Sequence, residues 1–109
     1  LLFIWSSTCG HCVETLPKIE KAYMDYKAQG LEIFGVAIDP ARDQWLTAMR
    51  ERQLPWVNVL SARSWESSFI LGYGIRSTPF MAIIDPNGNL VEIDVKPEKL
   101  ETTLRNLFE

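Results

Sequence analysis

Long apolar runs, clustered positive charge and abundant cysteine are all missing from this chain, and each absence removes a class of function. No apolar run reaches the roughly 20 residues a membrane helix needs, and no signal-peptide pattern is present. Lys plus Arg number 11 against 14 Asp plus Glu, a formal net charge of −3 with the two signs mixed along the sequence. Binding phosphates needs clustered cations, so neither a nucleic acid nor an anionic membrane is expected as a partner. Histidine occurs once, at His11, and cysteine twice, at Cys9 and Cys12. A zinc site needs about four ligands, which two thiols and the histidine wedged between them do not supply, so no metal is expected. Covalent haem attachment needs a histidine directly after the second cysteine, and that position is Val13. Repeats, linkers and low-complexity stretches are also lacking. The 109 residues suit one domain, 1–109, able to bury roughly two-thirds of its unfolded surface. The chain opens inside an apolar strand with no polar lead-in, which suggests a domain cut from a longer protein and lacking N-terminal elements.

What is present is concentrated in Trp5-Ser6-Ser7-Thr8-Cys9-Gly10-His11-Cys12. An apolar run, Leu1 to Ile4, leads into this stretch and a helical pattern leaves it. Two thiols at this spacing can close a disulfide ring if the first stands at the mouth of a helix. Unpaired amide N–H groups and the helix dipole favour a thiolate at that place. A purely structural disulfide gains little there, because closing so short a loop releases little entropy. Dithiol–disulfide exchange is therefore expected, with Cys9 as nucleophile and the more deeply buried Cys12 as resolving thiol. Lowering a thiol pKa from about 8.5 to about 7 is worth roughly 2 kcal/mol and raises the thiolate fraction at neutral pH some 15-fold. Nucleophilicity falls about 5-fold over the same change, so the net gain in attack is only about 3-fold. The larger consequence is thermodynamic, since a stabilised thiolate makes the disulfide a better oxidant.

Taken in order, Leu1–Trp5 reads as a central strand covered on both faces. Cys12, Leu16, Ile19, Tyr23 and Tyr26 form one stripe of an amphipathic helix that Gly30 stops, with Pro17 inside it as a source of a kink. Leu31–Ile38 reads as an interior strand, and Asp39-Pro40 as an N-cap followed by proline at the first helical position. Trp45, Leu46 and Met49 give the next helix its apolar face, to about Arg52. Trp56–Leu60 reads as a short strand and Ser64–Leu71 as a brief helix. Phe80–Asp85 and Leu90–Val95 read as a hairpin about Pro86-Asn87-Gly88-Asn89. A closing helix places Leu100, Leu104, Leu107 and Phe108 on one face. Trp45, Trp56 and Trp65 read as packing residues. The pattern is α/β: a mixed central sheet with helices on both faces.

Phe3-Ile4-Trp5, then Cys9-Gly10-His11-Cys12, then Pro17 resembles the strand, active-site loop and first helix of the thioredoxin superfamily. Tyr73-Gly74-Ile75-Arg76-Ser77-Thr78-Pro79 looks like that superfamily's second landmark, the loop bearing a cis-proline. About thirty residues, with a helix and a strand among them, separate the second strand from Tyr73. That insertion before the cis-proline loop is similar to the TlpA/ResA-like thiol–disulfide oxidoreductases. A peroxiredoxin reading fits less well, because the Pro-x-x-x-Thr-x-x-Cys arrangement is absent. The resemblance implies a thioredoxin-like fold, with Trp5, Gly10, His11 and Pro79 supporting the catalytic Cys9 and Cys12. It also implies substrate binding at Thr78 and Pro79, where a cis bond would turn the Thr78 backbone toward Cys9 to pair with an extended chain. The implied partners are protein or peptide substrates with cysteines and an unidentified redox partner. The redox-active disulfide needs no added cofactor. By the same resemblance the setting is the bacterial periplasm or another extracytoplasmic compartment, with a membrane tether in a missing N-terminal part.

Two positions depart from the family pattern. Phe3 stands where thioredoxin has a buried aspartate, and Thr15 where the ResA-like branch often has glutamate. The proton acceptor for Cys12 is left open among water, Glu14 and His11. A rival reading is a redox-inactive peptide-binding module of the same fold. His11 reads either as an exposed first-turn residue or as a partial positive charge beside Cys9. The Gly10-His11 pair resembles that of protein disulfide isomerase, which is about 90 mV less reducing than thioredoxin. On the second reading, His11→Pro lowers the reduction potential; an unchanged redox equilibrium with glutathione would remove the imidazole from the account.

Overall fold

The computed structural model describes residues 1–39, 41–61, 75 and 77–108. Its frame follows from a short apolar segment. Leu2–Trp5 (β1) presents side chains alternately to two faces and is covered on both, with Phe3, Ile4 and Trp5 fully buried. Phe34–Ala37 (β2) pairs parallel to β1, and Val57–Leu60 (β3) pairs parallel to β2 on the outer side. Phe80–Ile84 (β4) runs antiparallel along the other side of β1, and Leu90–Glu92 (β5) closes that edge. The sheet order is β3-β2-β1-β4-β5.

Two parallel crossovers step in one direction across this sheet. Right-handed connections then place both crossover helices on one face. Gly10–Tyr26 (α1) buries the stripe Cys12, Leu16, Ile19, Tyr23 and Tyr26 against Phe3, Trp5 and Met81. It runs through the exposed Pro17 as a single helix. A 3₁₀ turn follows, and Gly30, at φ +108°, ends it in a conformation that suits glycine. Arg42–Arg52 (α2) rests Trp45 and Met49 on the same cluster, although only Ala48 is buried. Leu100–Phe108 (α3) adds Leu100 and Leu104, and Phe108 stacks on Tyr26 with ring centroids 5.1 Å apart. Leu107, expected on that face, is 45% exposed, because 100, 104 and 108 are the positions that repeat toward α1. The opposite sheet face gathers Ile4, Val36, Ile38, Ile75, Phe80 and Ala82. The helix expected at 64–71, Trp65 and the Tyr73-Gly74 pair lie outside the described residues, and the expectation of helical cover on this second face rests on that segment.

Three expectations are corrected. Asp39 does not cap α2: the helix begins at Arg42 behind Ala41, and Asp39 is buried at 2% exposure with its carboxylate turned to Ser7. Trp56 is not part of β3. Its indole folds back over Gly35, donating from Nε1 to Asn58 Oδ1 at 3.1 Å and meeting Tyr23 edge-on. The return strand stops at Glu92 rather than Val95, because Asp94 takes a left-handed conformation at φ +54° that breaks the ladder. Val95 N–H then rejoins Met81 O at 2.9 Å.

Gly35 is the closest approach in the sheet. An added Cβ would stand 2.6 Å from Asn58 Oδ1 and 3.1 Å from Trp56 Nε1. Gly35→Ala should destabilise the protein by roughly 1–3 kcal/mol in urea denaturation. Gly10→Ala, whose Cβ meets nothing within 4 Å, should stay within about 0.5 kcal/mol of the parent.

Candidate active site

The ends of β1 and β2 meet where Ile38 N–H donates to Trp5 O at 2.9 Å. From Trp5 the chain turns through Ser6-Ser7-Thr8 before α1 begins. Inside the turn Cys9 N–H donates to Ser6 O at 3.1 Å, and the Ser6 and Thr8 hydroxyls are 2.9 Å apart. Cys9 is the N-cap of α1, in extended conformation (φ −89°, ψ 111°). Cys12 N–H donates to its sulfur at 3.2 Å, and Val13 N–H to its carbonyl at 3.1 Å. A thiol thus holds the place that Ser, Thr, Asp or Asn usually takes, facing amides that have no partner within the helix. Three residues on, and therefore on the same helix face, Cys12 is fully buried between α1 and the sheet, whereas Cys9 is only half-buried.

This arrangement divides the two thiols. Burial alone would raise Cys9; the hydrogen bonds from the Cys12 and Thr78 side chains and from the amides of Cys12 and His11 outweigh it and hold Cys9 below the ordinary thiol value. Burial pushes the Cys12 thiol up to about 12, and its hydrogen bond to Cys9 and the charge there push the same way. Thr78 and the Ser6 amide oppose that rise. Both thiols are free.

The opposing wall of the site is the start of β4. The Thr78–Pro79 peptide is cis, and the Cys9 thiol reaches Thr78 O at 3.8 Å. Thr78 and Pro79 are both half-buried beside it. His11 is exposed, and what it turns toward Cys9 is its backbone N–H. Gly10 is the exposed first residue of α1. Trp5 lies wholly in the core, stacked on Phe3 at 5.8 Å in the cluster that contains Cys12, so it backs the site from within. Glu14 is exposed, while Thr15 is buried and donates to His11 O at 2.8 Å. Ser7 and Asp39 join the site unannounced by the sequence reading. An Asp-Pro pair before a helix has the appearance of a cap, and only the register of β2 against β1 shows otherwise. Among the described residues, no group of three or more His, Cys, Asp or Glu side chains is placed to hold a metal ion. No helix there is long and apolar enough to cross a membrane.

A family model described as thioredoxin-like matches residues 1–90. The chain belongs to the thioredoxin-like family. Within that family it is similar to the thiol-disulfide oxidoreductase ResA of Halalkalibacterium halodurans, at 30% identity over 92 residues, 84% of this chain and 51% of ResA. The chain thus spans about half the length of that curated relative. The thioredoxin domain of a thiol-disulfide oxidoreductase from Bacteroides vulgatus superposes with a TM-score of 0.88 at 25% identity, covering 99% of this chain and 77% of that one. A thiol-disulfide oxidoreductase from Bacteroides fragilis gives 0.86 at 25% identity, covering 97% and 78%. The thioredoxin-like fold expected from the two motifs, with its helix and strand inserted after β2 as α2 and β3, is the one observed.

The split between the thiols has a signature in stability. A raised folded-state pKa at Cys12 means that, above the ordinary thiol range, the unfolded chain loses this proton first. Stability of the reduced protein should then fall as pH rises from about 9. Cys9, lowered, contributes in the opposite sense, its thiolate favouring the folded chain as pH rises through the ordinary thiol range. Urea denaturation in reductant from pH 8 to 10.5 should show a decline that Cys12→Ser removes. An equal decline in that variant would mean other groups cause it.

Proposed function

We propose that this domain is a thiol–disulfide oxidoreductase acting on cysteine-containing proteins, with Cys9 as nucleophile and Cys12 as resolving thiol. The observation that supports this most directly is the opposite treatment of two neighbouring sulfurs, one eased toward thiolate at a helix mouth and one buried and held protonated. In the reducing direction the Cys9 thiolate attacks one sulfur of a substrate disulfide. A Cys9–substrate bond forms, and the other substrate sulfur leaves as thiolate. Cys12 then gives up its proton and attacks Cys9 Sγ, forming the Cys9–Cys12 disulfide and freeing the second substrate thiolate. Two electrons pass to the substrate, and a redox partner returns them. Oxidation of a dithiol substrate is the same sequence reversed.

The electrons are carried by the two sulfurs themselves, so the chemistry calls for no added cofactor or metal. An extended substrate segment would lie along Thr78, whose carbonyl already faces Cys9. The similarity to ResA supports placing the protein in the bacterial periplasm or another extracytoplasmic compartment.

Insulin reduction tests the activity: the parent should turn over and Cys9→Ser should lose thiol-dependent turnover entirely. Cys12→Ser should accumulate substrates on Cys9 as mixed disulfides, visible on non-reducing gels and released by dithiothreitol. A parent with no turnover and a Cys12→Ser variant with no adducts would leave the domain a binding module.

A further inference from the structure

Asp39 and Ser7 have no part in the exchange just described, yet their geometry is specific. Asp39 follows β2 and is 2% exposed. Its Oδ1 accepts the backbone N–H of Ser7 at 2.8 Å, and its Oδ2 accepts the Ser7 hydroxyl. Each carboxylate oxygen therefore has a donor, which is what a carboxyl group needs to remain buried. The contact joins residues 32 apart in sequence. The bonds within the turn, Cys9 N–H to Ser6 O and Ser6 to Thr8, shape it but do not tie it to the neighbouring strand. The Asp39–Ser7 pair does tie it there, next to the Ile38–Trp5 bond that ends the β1–β2 ladder. Ser7 stands two residues before Cys9. On its other side is Ser6, whose amide faces the Cys12 sulfur.

We propose that Asp39 is a positioning residue for the dithiol: by gripping Ser7 at both backbone and hydroxyl, it holds the Ser6–Thr8 turn so that the Cys9 sulfur stays at the amides of the first turn of α1. The inference rests on Cys9 and Cys12 being the reacting pair. It assigns Asp39 an effect through geometry and not through charge. The groups that hold Cys9 down are Cys12, Thr78 and the amides of Cys12 and His11. A negative charge nearby would instead oppose thiolate formation.

The test is the pH profile of Cys9 alkylation by iodoacetamide in the reduced full chain, read by mass spectrometry below the thermal transition of each variant. Asp39→Asn retains an oxygen for the Ser7 amide and an NH₂ that can donate to the Ser7 hydroxyl, so its profile should match the parent. Asp39→Ala loses both contacts. Its profile should move to higher pH by half to one unit, lowering the thiolate fraction about 3- to 10-fold at pH values well below the midpoint. Ser7→Ala, which keeps the amide contact, should fall between them and serves if Asp39→Ala does not fold. Unshifted profiles in Asp39→Ala and Ser7→Ala, even with lower melting temperatures, would overturn the proposal and leave Asp39 a structural residue. A profile moved to lower pH in Asp39→Asn would overturn it in favour of a charge effect. Alkylation reads the sulfur without any protein substrate. A chain inactive on insulin but with the expected shifts would therefore count against the oxidoreductase reading and not against the role of Asp39.

Discussion

A sulfur atom at the capping position of an α-helix is the constraint on which the rest of the site depends. The first amides of α1 have no acceptor within the helix, and Cys9 Sγ accepts one of them directly. From that single placement the other properties follow. The capping residue is extended and borders the solvent-facing loop, so Cys9 remains reachable. The residue three positions on must lie on the same face, and for α1 that face is the buried one, so Cys12 is enclosed. One sulfur is half-buried at the helix mouth and accepts an amide there; the other is enclosed in the core. The difference in their acidities follows from the burial of Cys12 and from the hydrogen bonds that Cys12, Thr78 and the first helix amides give Cys9.

The sheet brings the remaining parts to this cap. β1 lies in the middle, so the turn that leaves it is flanked by the end of β2 on one side and the start of β4 on the other. On the β2 side, Asp39 meets Ser7. On the β4 side, the pairing of Ile4 with Phe80 places Thr78, two residues before Phe80, level with the residues that follow Trp5. The Thr78 carbonyl then faces Cys9 across the seam between the strands. Trp5 and Phe3 fill the space beneath.

Local signals were legible where one pattern had one outcome. The period of Cys12, Leu16, Ile19, Tyr23 and Tyr26 marks a buried helix face whatever covers it, and the unbroken apolar β1 marks a central strand. Signals with two outcomes were not legible. An aspartate before a helix can cap that helix or reach a distant amide, and Asp39 does the second. A tryptophan at the start of an apolar run can join the strand or fold over a glycine, and Trp56 does the second because Gly35 leaves room for its ring. Leu107 has the sequence spacing of a core residue but turns outward, since α1 meets α3 along 100, 104 and 108.

By itself, the sequence determined the two thiols at helical spacing, the helix that begins beside the first of them and the apolar period that buries the second. All of these depend on interactions within a few residues, whose geometry the chain imposes locally. Tertiary structure alone decided that Asp39 turns to Ser7 and that His11 contributes its amide to the sulfur, while the place of Thr78 opposite Cys9 was expected only through the family resemblance. The Asp39 and Thr78 contacts join residues 32 and 69 positions apart. No periodicity reports such pairs, because they exist only once strand order and register have been set by the burial of the core.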